Sequence, residues 1–461
     1  HLFSLRDLQA KLHNRQYMII NLLEAPLLAF ILAFIVRYYN TDDTLLSGYV
    51  FSKNPNLPAY FFMSVIVALF MGLTVSAEEI IRDRKILKRE AFLHLSRSSY
   101  IFSKISILVF LSAVQTLTFV LVGNYILEIK GMFLHHWFIL FTTACFANLL
   151  GLNISSGFDS AVTIYILIPL LLIPQLILSG VVVKFDKLNP AIGNAATVPV
   201  VGDLMASRWA FEAAMVTQFK DNLFERRFYL HDKAMANADY RKVYYVPELE
   251  TRLQYCLINF KSAMPDIRQR VETDLALIRR EVEGQLEYTN QSLPAVEKLS
   301  RQQFDSATFE AITAFLEKLK HMYVNRYNRA DEEKERIIFE STGTPEQQAS
   351  FNLFKESYHN EAIADLVKNS TETHRIVELD GKLVQKIYPV YKDPDPDHLV
   401  DFDAQFYMPA KHFLNKNIDT FYFNMGVIWL LSLILTLTLY YDVLRKIIDG
   451  MGSLSNPLNK K

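Results

Sequence analysis

The sequence is poor in the features that accompany soluble catalysis. It has two cysteines in 461 residues, Cys145 inside an apolar run and Cys256 in a polar region, so no disulfide framework is expected. Neither charge sign is in excess: 48 basic residues face 49 acidic ones, a formal −1, which gives no reason to expect nucleic acid as a partner. No G-x-x-x-x-G-K-[ST] phosphate loop occurs, and no other glycine-rich run could cradle a nucleotide. H-E-x-x-H, nucleophile-elbow and paired-cysteine motifs are missing, and His94, His135, His136 and His231 lack ligand spacing. These absences argue against a membrane-embedded enzyme, and no catalytic or metal-ligating residue is expected. The sequence opens at His1 without methionine or a cleavable signal, so a segment upstream is expected to have been removed or left out.

Long apolar runs, by contrast, are abundant. Apolar residues make up 51% and aromatics 13%, yet mean hydropathy is only +0.12, because the apolar residues are gathered into blocks. A membrane protein with a large soluble part follows. Residues 219–416 carry 28 basic and 33 acidic residues, and the remainder carries 20 and 16. The soluble part is mildly acidic and the membrane part mildly basic.

The stretch from Ser76 to Lys104 organises the rest. It lies between two apolar runs and holds seven bases, Arg82, Arg84, Lys85, Lys88, Arg89, Arg97 and Lys104, a density that places it in the cytoplasm under the positive-inside rule. Ile86, Leu87, Phe92 and Leu95 alternate with the bases, as in a short interfacial helix. The plainer alternative is a charged topogenic loop that contacts nothing.

In chain order, residues 1–17 place Leu2, Leu5, Leu8 and Leu12 at helical spacing, an amphipathic connecting helix or the plain start of the first span. Spans are then expected at Met18–Val36 (interrupted by Glu24 and Pro26), Tyr60–Ile81, Ile105–Leu127, Trp137–Gly157 and Ala161–Val183, with a cytoplasmic segment at 82–104. Glu24 is expected near the interface, facing protein or water. Thr142, Thr143, Asn148, Asn153, Ser155 and Ser156 in the fourth span suit helix–helix packing better than a hydrophilic path. Pro169 and Pro174 should bend the fifth span, while Ser179 and Gly180 permit a break. Residues 184–218 read as outer re-entrant or interfacial helices, and 417–461 as a sixth span with a basic tail ending at Lys460 and Lys461. Both termini are then cytoplasmic and 219–416 is extracytoplasmic.

The run SAEEIIRDRKILKREAFLHLSRSSYIFSK resembles the coupling segment of the G-type (White-like) ATP-binding-cassette transporters, in particular their bacterial branch. PQLILSGVVV in the fifth span and SRWAFEAAMVTQF after it are similar too, and the resemblance covers about residues 1–220 and 417–450. It implies an α-helical membrane protein with six spans that acts as half of a dimeric transporter in a bacterial inner membrane, among membrane lipids. Glu78, Glu79, Arg82, Asp83, Arg84, Lys85, Lys88 and Arg89 would lie at the interface with an ATPase domain, upstream or separate, that binds ATP and Mg. Val181 and Val182 would form a hydrophobic gate, smaller than the leucines common there, after the pathway-bending residues Pro169, Pro174, Ser179 and Gly180.

The departure from that family is the large insert at 219–416, expected to be mainly helical. Ile267, Val271, Leu275, Ile278, Val282 and Leu286 form one apolar stripe, and Phe309, Ile312, Phe315, Leu316 and Leu319 another. Thr344-Pro345-Glu346-Gln347 is a capping box opening a helix to about Lys368. Asp380-Gly381 marks a β-hairpin within 374–391. Asp393, Asp395, Asp397, Asp401 and Asp403 read as an acidic surface turn rather than a calcium loop, since the turn glycine is missing. Two functions remain open: an exporter half moving an amphipathic or lipid-like substrate outward, or an ATP-driven mechanotransmission device whose outer domain acts on a periplasmic or outer-membrane partner.

Overall fold

The computed structural model describes residues 9, 11, 13–39, 48–90, 96–189, 191–193, 197–396, 399, 402 and 404–454. The amphipathic pattern of Leu2, Leu5, Leu8 and Leu12 lies outside the described residues, as do Phe92, His94, Leu95 and the side chains of Lys85, Lys88 and Arg89. The chain divides into two compact units, one of residues 1–223, 354–364 and 394–461, the other of 224–353 and 365–393.

The first unit holds α1 (Arg15–Val36), α2 (Leu57–Ser76), α3 (Glu79–Glu90), α4 (Arg97–Ile126), α5 (Phe133–Gly157), α6 (Ala161–Ile177) and α7 (Ala206–Lys220). Among the described residues, five helical stretches are long and apolar enough to cross a membrane: Met18–Val36, Leu57–Arg84, Arg97–Ile126, Phe133–Gly157 and Thr420–Tyr440. The expected fifth span is shorter than the sequence suggested. Helix α6 stops at Ile177, 17 residues long, about 26 Å at 1.5 Å per residue. It runs as one helix through Pro169 and Pro174 and ends before Gly180, whose φ of +79° suits glycine. The third span also differs, because α4 begins at Arg97 and takes Lys104 into its buried face.

Helix α5 is central, and the polar residues read as packing groups are all buried in it. Gly72 of α2 lies so close that a Cβ there would stand 2.6 Å from the Ala144 carbonyl oxygen and from the Ala147 Cβ. Asn148 donates to Ser112 Oγ of α4 at 2.7 Å. Asn153 donates to the Leu435 carbonyl at 2.8 Å. Small residues that admit a neighbouring backbone, and side-chain bonds across helices, are what join helices in lipid. Glu24 is half-buried on α1, whose Ala25, Ala29 and Ala33 are fully buried.

The second unit contains α8 (Glu225–Tyr240), α9 (Val246–Asn259), α10 (Pro265–Thr289) and α11 (Ser306–Ser341). Val271, Leu275, Ile278, Val282 and Leu286 of α10 meet Ile312, Phe315, Leu316 and Leu319 of α11 in one core, so both expected stripes face inward. Strands β1 (Ile376–Leu379) and β2 (Lys382–Gln385) pair antiparallel about Asp380-Gly381, both at positive φ, as a tight two-residue hairpin turn requires. Arg252 joins α9, α10 and β1 through Glu248, Asp274 and Glu378.

Thr344 and Gln347 cap each other's backbone N–H, as the box predicts. The helix they open does not reach Lys368. It is α12 (Pro345–Tyr358), followed after His359-Asn360 by α13 (Glu361–Lys368). Asn360 Oδ1 accepts from Ile363 N at 2.9 Å and so starts the new helix.

Residues 394–419 fold with the first unit rather than with the helical one. They include a second hairpin that the sequence reading missed, β3 (Ala410–Phe413) and β4 (Lys416–Asp419), turning at Leu414-Asn415 with positive φ at both. Asp419 then caps α14 (Thr420–Tyr440), accepting from Phe421 N at 2.9 Å, and α15 (Val443–Leu454) follows. Asp393 pairs with Lys233, and Asp397, Asp401 and Asp403 lie outside the described residues. Among the described residues no cluster of three potential metal ligands occurs.

Candidate functional site

Where the second span passes into α3, the charged side chains point to different partners. Glu79 and Asp83, one turn apart, point inward toward α4. Glu79 Oε1 accepts from Lys11 Nζ at 2.7 Å and Oε2 from Lys104 Nζ at 3.0 Å. Lys104 also reaches Asp83 Oδ2 at 2.8 Å, and Tyr100 OH donates to the same oxygen at 3.3 Å. The side chains of Glu79 and Lys104 are each 2% exposed. Two lysines thus pair with two carboxylates, the arrangement that makes buried charge tolerable. It fastens α3 to the segment around Lys11 and to the start of α4.

Arg84 points elsewhere, donating to the Ser156 carbonyl at 2.9 Å and pairing with Asp159 at the end of α5. Two backbone N–H groups at the start of α3, those of Ile80 and Ile81, donate to Ser155 Oγ, each at 3.0 Å. Glu78 accepts from Tyr165 OH of α6 at 2.7 Å. Arg82 is exposed and reaches back to Glu79 at 3.4 Å. The family resemblance implies one partner surface for Glu78, Glu79, Arg82, Asp83 and Arg84, the alternative being solvated charges. In the structure Glu79 is closed off by Lys11 and Lys104, so it can act on a partner only by holding α3. No signal in the local sequence separates it from Glu78 beside it.

The residues after α6 form a tight turn. Ser179 Oγ, fully buried, donates to the Leu176 carbonyl and accepts from Val181 N. The Phe185 ring occupies the space where a Cβ on Gly180 would stand, 2.4 Å from it. Gln175 is fixed to α7 by accepting from Ser207 N at 3.0 Å through its side chain and from Ser207 Oγ at 2.7 Å through its carbonyl. Val181 is half-buried and Val182 is 62% exposed on this turn.

A second ion cluster escaped the sequence reading. Residues 206–219 are buried throughout. Within α7, Glu212 accepts from Lys411 Nζ at 2.8 Å, from Asn424 Nδ2 at 2.9 Å and from Tyr407 N at 3.0 Å, with Arg208 at 3.6 Å. Burial opposes ionisation of Glu212, but Lys411 and Arg208 outweigh it and hold the carboxyl below its ordinary value. The only local hint was Arg208 and Glu212 at i, i+4 in a semi-apolar run. Lys411 comes from β3, 199 residues away.

Apolar helices bound together by buried polar contacts define a polytopic helical membrane domain. Residues 2–219 match the family described as ABC-2 type transporter, just under half of the chain. This segment is similar to an ABC-2 membrane domain, the permease component that in ABC transporters pairs with an ATPase component. No curated protein matches the chain.

Proposed function

We propose that this chain is the permease half of a G-type ATP-driven exporter. It acts as a homodimer in the bacterial inner membrane and moves an amphipathic or lipid-like substrate outward. ATP and Mg bind the associated ATPase domain, and six spans, with α6 as the fifth, put both termini in the cytoplasm and 219–416 outside. The observation that carries this reading is the ion-pair network of Lys11, Glu79, Lys104 and Asp83. It joins α3, which continues the second span through Arg84, to the start of α4 through Lys104, so a push on α3 by the ATPase becomes a movement of α2 and α4. Arg82, Lys85, Lys88 and Arg89 are the bases of α3 through which the ATPase would engage it.

Supporting the pathway, α6 presents Val162, Ile166, Leu170, Ile173 and Ile177 as one exposed apolar stripe, suited to a dry interface with a second copy or to a lipid-like substrate. The turn at Val181 and Val182 would close its end as a gate. A second reading, mechanotransmission to an envelope partner with nothing crossing, is favoured by one feature, the separately packed helical unit with its own core.

The test uses proteoliposomes holding the transporter with its ATPase. Reversing Lys88 and Arg89 to Glu should leave insertion intact while abolishing outward movement of a fluorescent lipid and its stimulation of ATP hydrolysis. Unchanged transport in that variant removes the assignment of α3, and wild-type ATP hydrolysis without lipid movement favours the second reading.

A further inference from the structure

The segment 354–364 returns from the helical unit to the membrane-spanning one for eleven residues and leaves again. Its centre is Asn360, 4% exposed. Its Nδ2 donates to the carbonyls of Phe51 at 2.8 Å, Asn54 at 2.9 Å and Ser52 at 3.4 Å, three acceptors in the turn joining α1 to α2. Its Oδ1 caps α13. A single amide thus holds the turn with one end and starts a helix with the other, a use that needs asparagine in particular, with a donor and an acceptor on one short side chain.

The turn is itself tied to the spans. Asn54 Nδ2 donates to the carbonyl of Val36, the last residue of α1, at 3.3 Å, and Asn56 Nδ2 to the same carbonyl at 3.4 Å. Leu57 then begins α2. Around Asn360, Lys53 pairs with Glu361 at 2.5 Å, and Lys130 donates to Ser357 Oγ at 3.3 Å from the loop between α4 and α5. A Cβ on Gly131 in that loop would stand 3.3 Å from the Tyr358 ring. Two loops between spans therefore converge on residues 357–361.

We propose that the α12–α13 corner is a latch, in which Asn360 fastens segment 354–364 to the α1–α2 turn so that displacement of the first two spans is passed into α12 and α13. The origin of the displacement rests on the ATP-driven reading above, whereas the latch itself does not. The chain on either side of the corner leads directly into the helical unit, at Leu353 and Asp365. Movement of α1 and α2 thereby has a hydrogen-bonded route into the insert that does not depend on any soluble partner.

The experiment is hydrogen–deuterium exchange on the full transporter with its ATPase in lipid nanodiscs, without nucleotide and trapped with Mg-ATP and vanadate. Asn360→Asp keeps the oxygen that caps α13 and removes the donor to the three carbonyls, and Asn360→Ala removes both. Without nucleotide, N360D should raise exchange at residues 53–56 about tenfold with little change at 361–366, and N360A should raise both. In the wild type, trapping should alter exchange at 354–368 as well as in α3, and N360D should abolish the first response and keep the second. The latch is overturned if N360D leaves residues 53–56 as protected as before, or if the response at 354–368 survives it or is absent from the wild type while α3 responds. If α3 itself shows no response, the ATP-driven reading fails, and the nucleotide-free comparison still decides the latch. Should N360D fail to insert, Glu361→Lys at its exposed position breaks the pair with Lys53 and should raise exchange at 53 and 54, no rise again overturning the proposal.

Discussion

Replacing Glu79 by Gln removes the carboxylate that Lys11 and Lys104 share. Lys104 keeps Asp83 at 2.8 Å but loses its second carboxylate, in a site where the Glu79 and Lys104 side chains are each 2% exposed. Glutamine can still accept one bond, but it cannot balance two ammonium groups at 2.7 and 3.0 Å. Breaking a buried pair from one side costs about 3–5 kcal/mol, because the partner's desolvation is no longer offset. At about 2.1 cal/mol/K of unfolding entropy per residue, a unit of about 300 residues shifts by about 1.6 °C per kcal/mol, which makes that a fall of roughly 5–8 °C. The assay is the apparent unfolding midpoint in nanodiscs at one fixed scan rate, with Lys104→Met and the double variant alongside. Removing both partners leaves neither half of the Glu79–Lys104 pair uncompensated, so the double variant should be more stable than the sum of the two losses by about 2 kcal/mol or more. An E79Q midpoint within a degree of wild type, or strict additivity, would refute the claim that α3 is held electrostatically.

Two further outcomes follow from the outer part of the first unit. Gly180→Ala adds a Cβ 2.4 Å from the Phe185 ring at a φ of +79°, so it should cost about 1–2 kcal/mol from the backbone alone and displace Phe185. Lower stability with slowed transport is expected, and a neutral effect on both would show that the turn bearing Val181 and Val182 is not tightly set. Glu212 has a folded pKa below its ordinary 4.5. Its stabilising contribution is therefore complete above about pH 4.5 and is lost as pH falls through the lower folded value. Acid unfolding monitored near Trp209 should show this loss, and Glu212→Gln should flatten it. The variant should also lower stability at neutral pH, since Lys411 loses the carboxylate at 2.8 Å from it, while Arg208 keeps Asp203 at 3.5 Å.

Much of the architecture was legible because it rests on local regularities. Apolar stretches of about twenty residues must be helices in lipid, so α1, α2, α4, α5 and α14 could be placed from composition. The stripes of α10 and α11 and the Asp380-Gly381 turn rest on periodicity and turn chemistry that act within a few residues. The limits of α6 were not legible. Ser179 and Gly180 permit a break, but Val181 to Val183 are as apolar as the helix before them, and the turn is set by the bonds of Ser179 Oγ and by the positive φ of Gly180 against the Phe185 ring.

The sequence by itself determined that this is a helical membrane protein with a charged connector and a helical insert, since burial in lipid and the 3.6-residue period impose those on any chain with this pattern. Only the tertiary structure decided what the charges do. Glu78 and Glu79 are identical in type and adjacent, yet one faces Tyr165 and the other is sealed between Lys11 and Lys104. Asn360 looked like one more polar residue in a long helix until Phe51, Ser52 and Asn54, more than 300 positions earlier, were brought to it. Partners so far apart in sequence leave no periodic trace, because their distance is set by how whole helices pack rather than by any local rule.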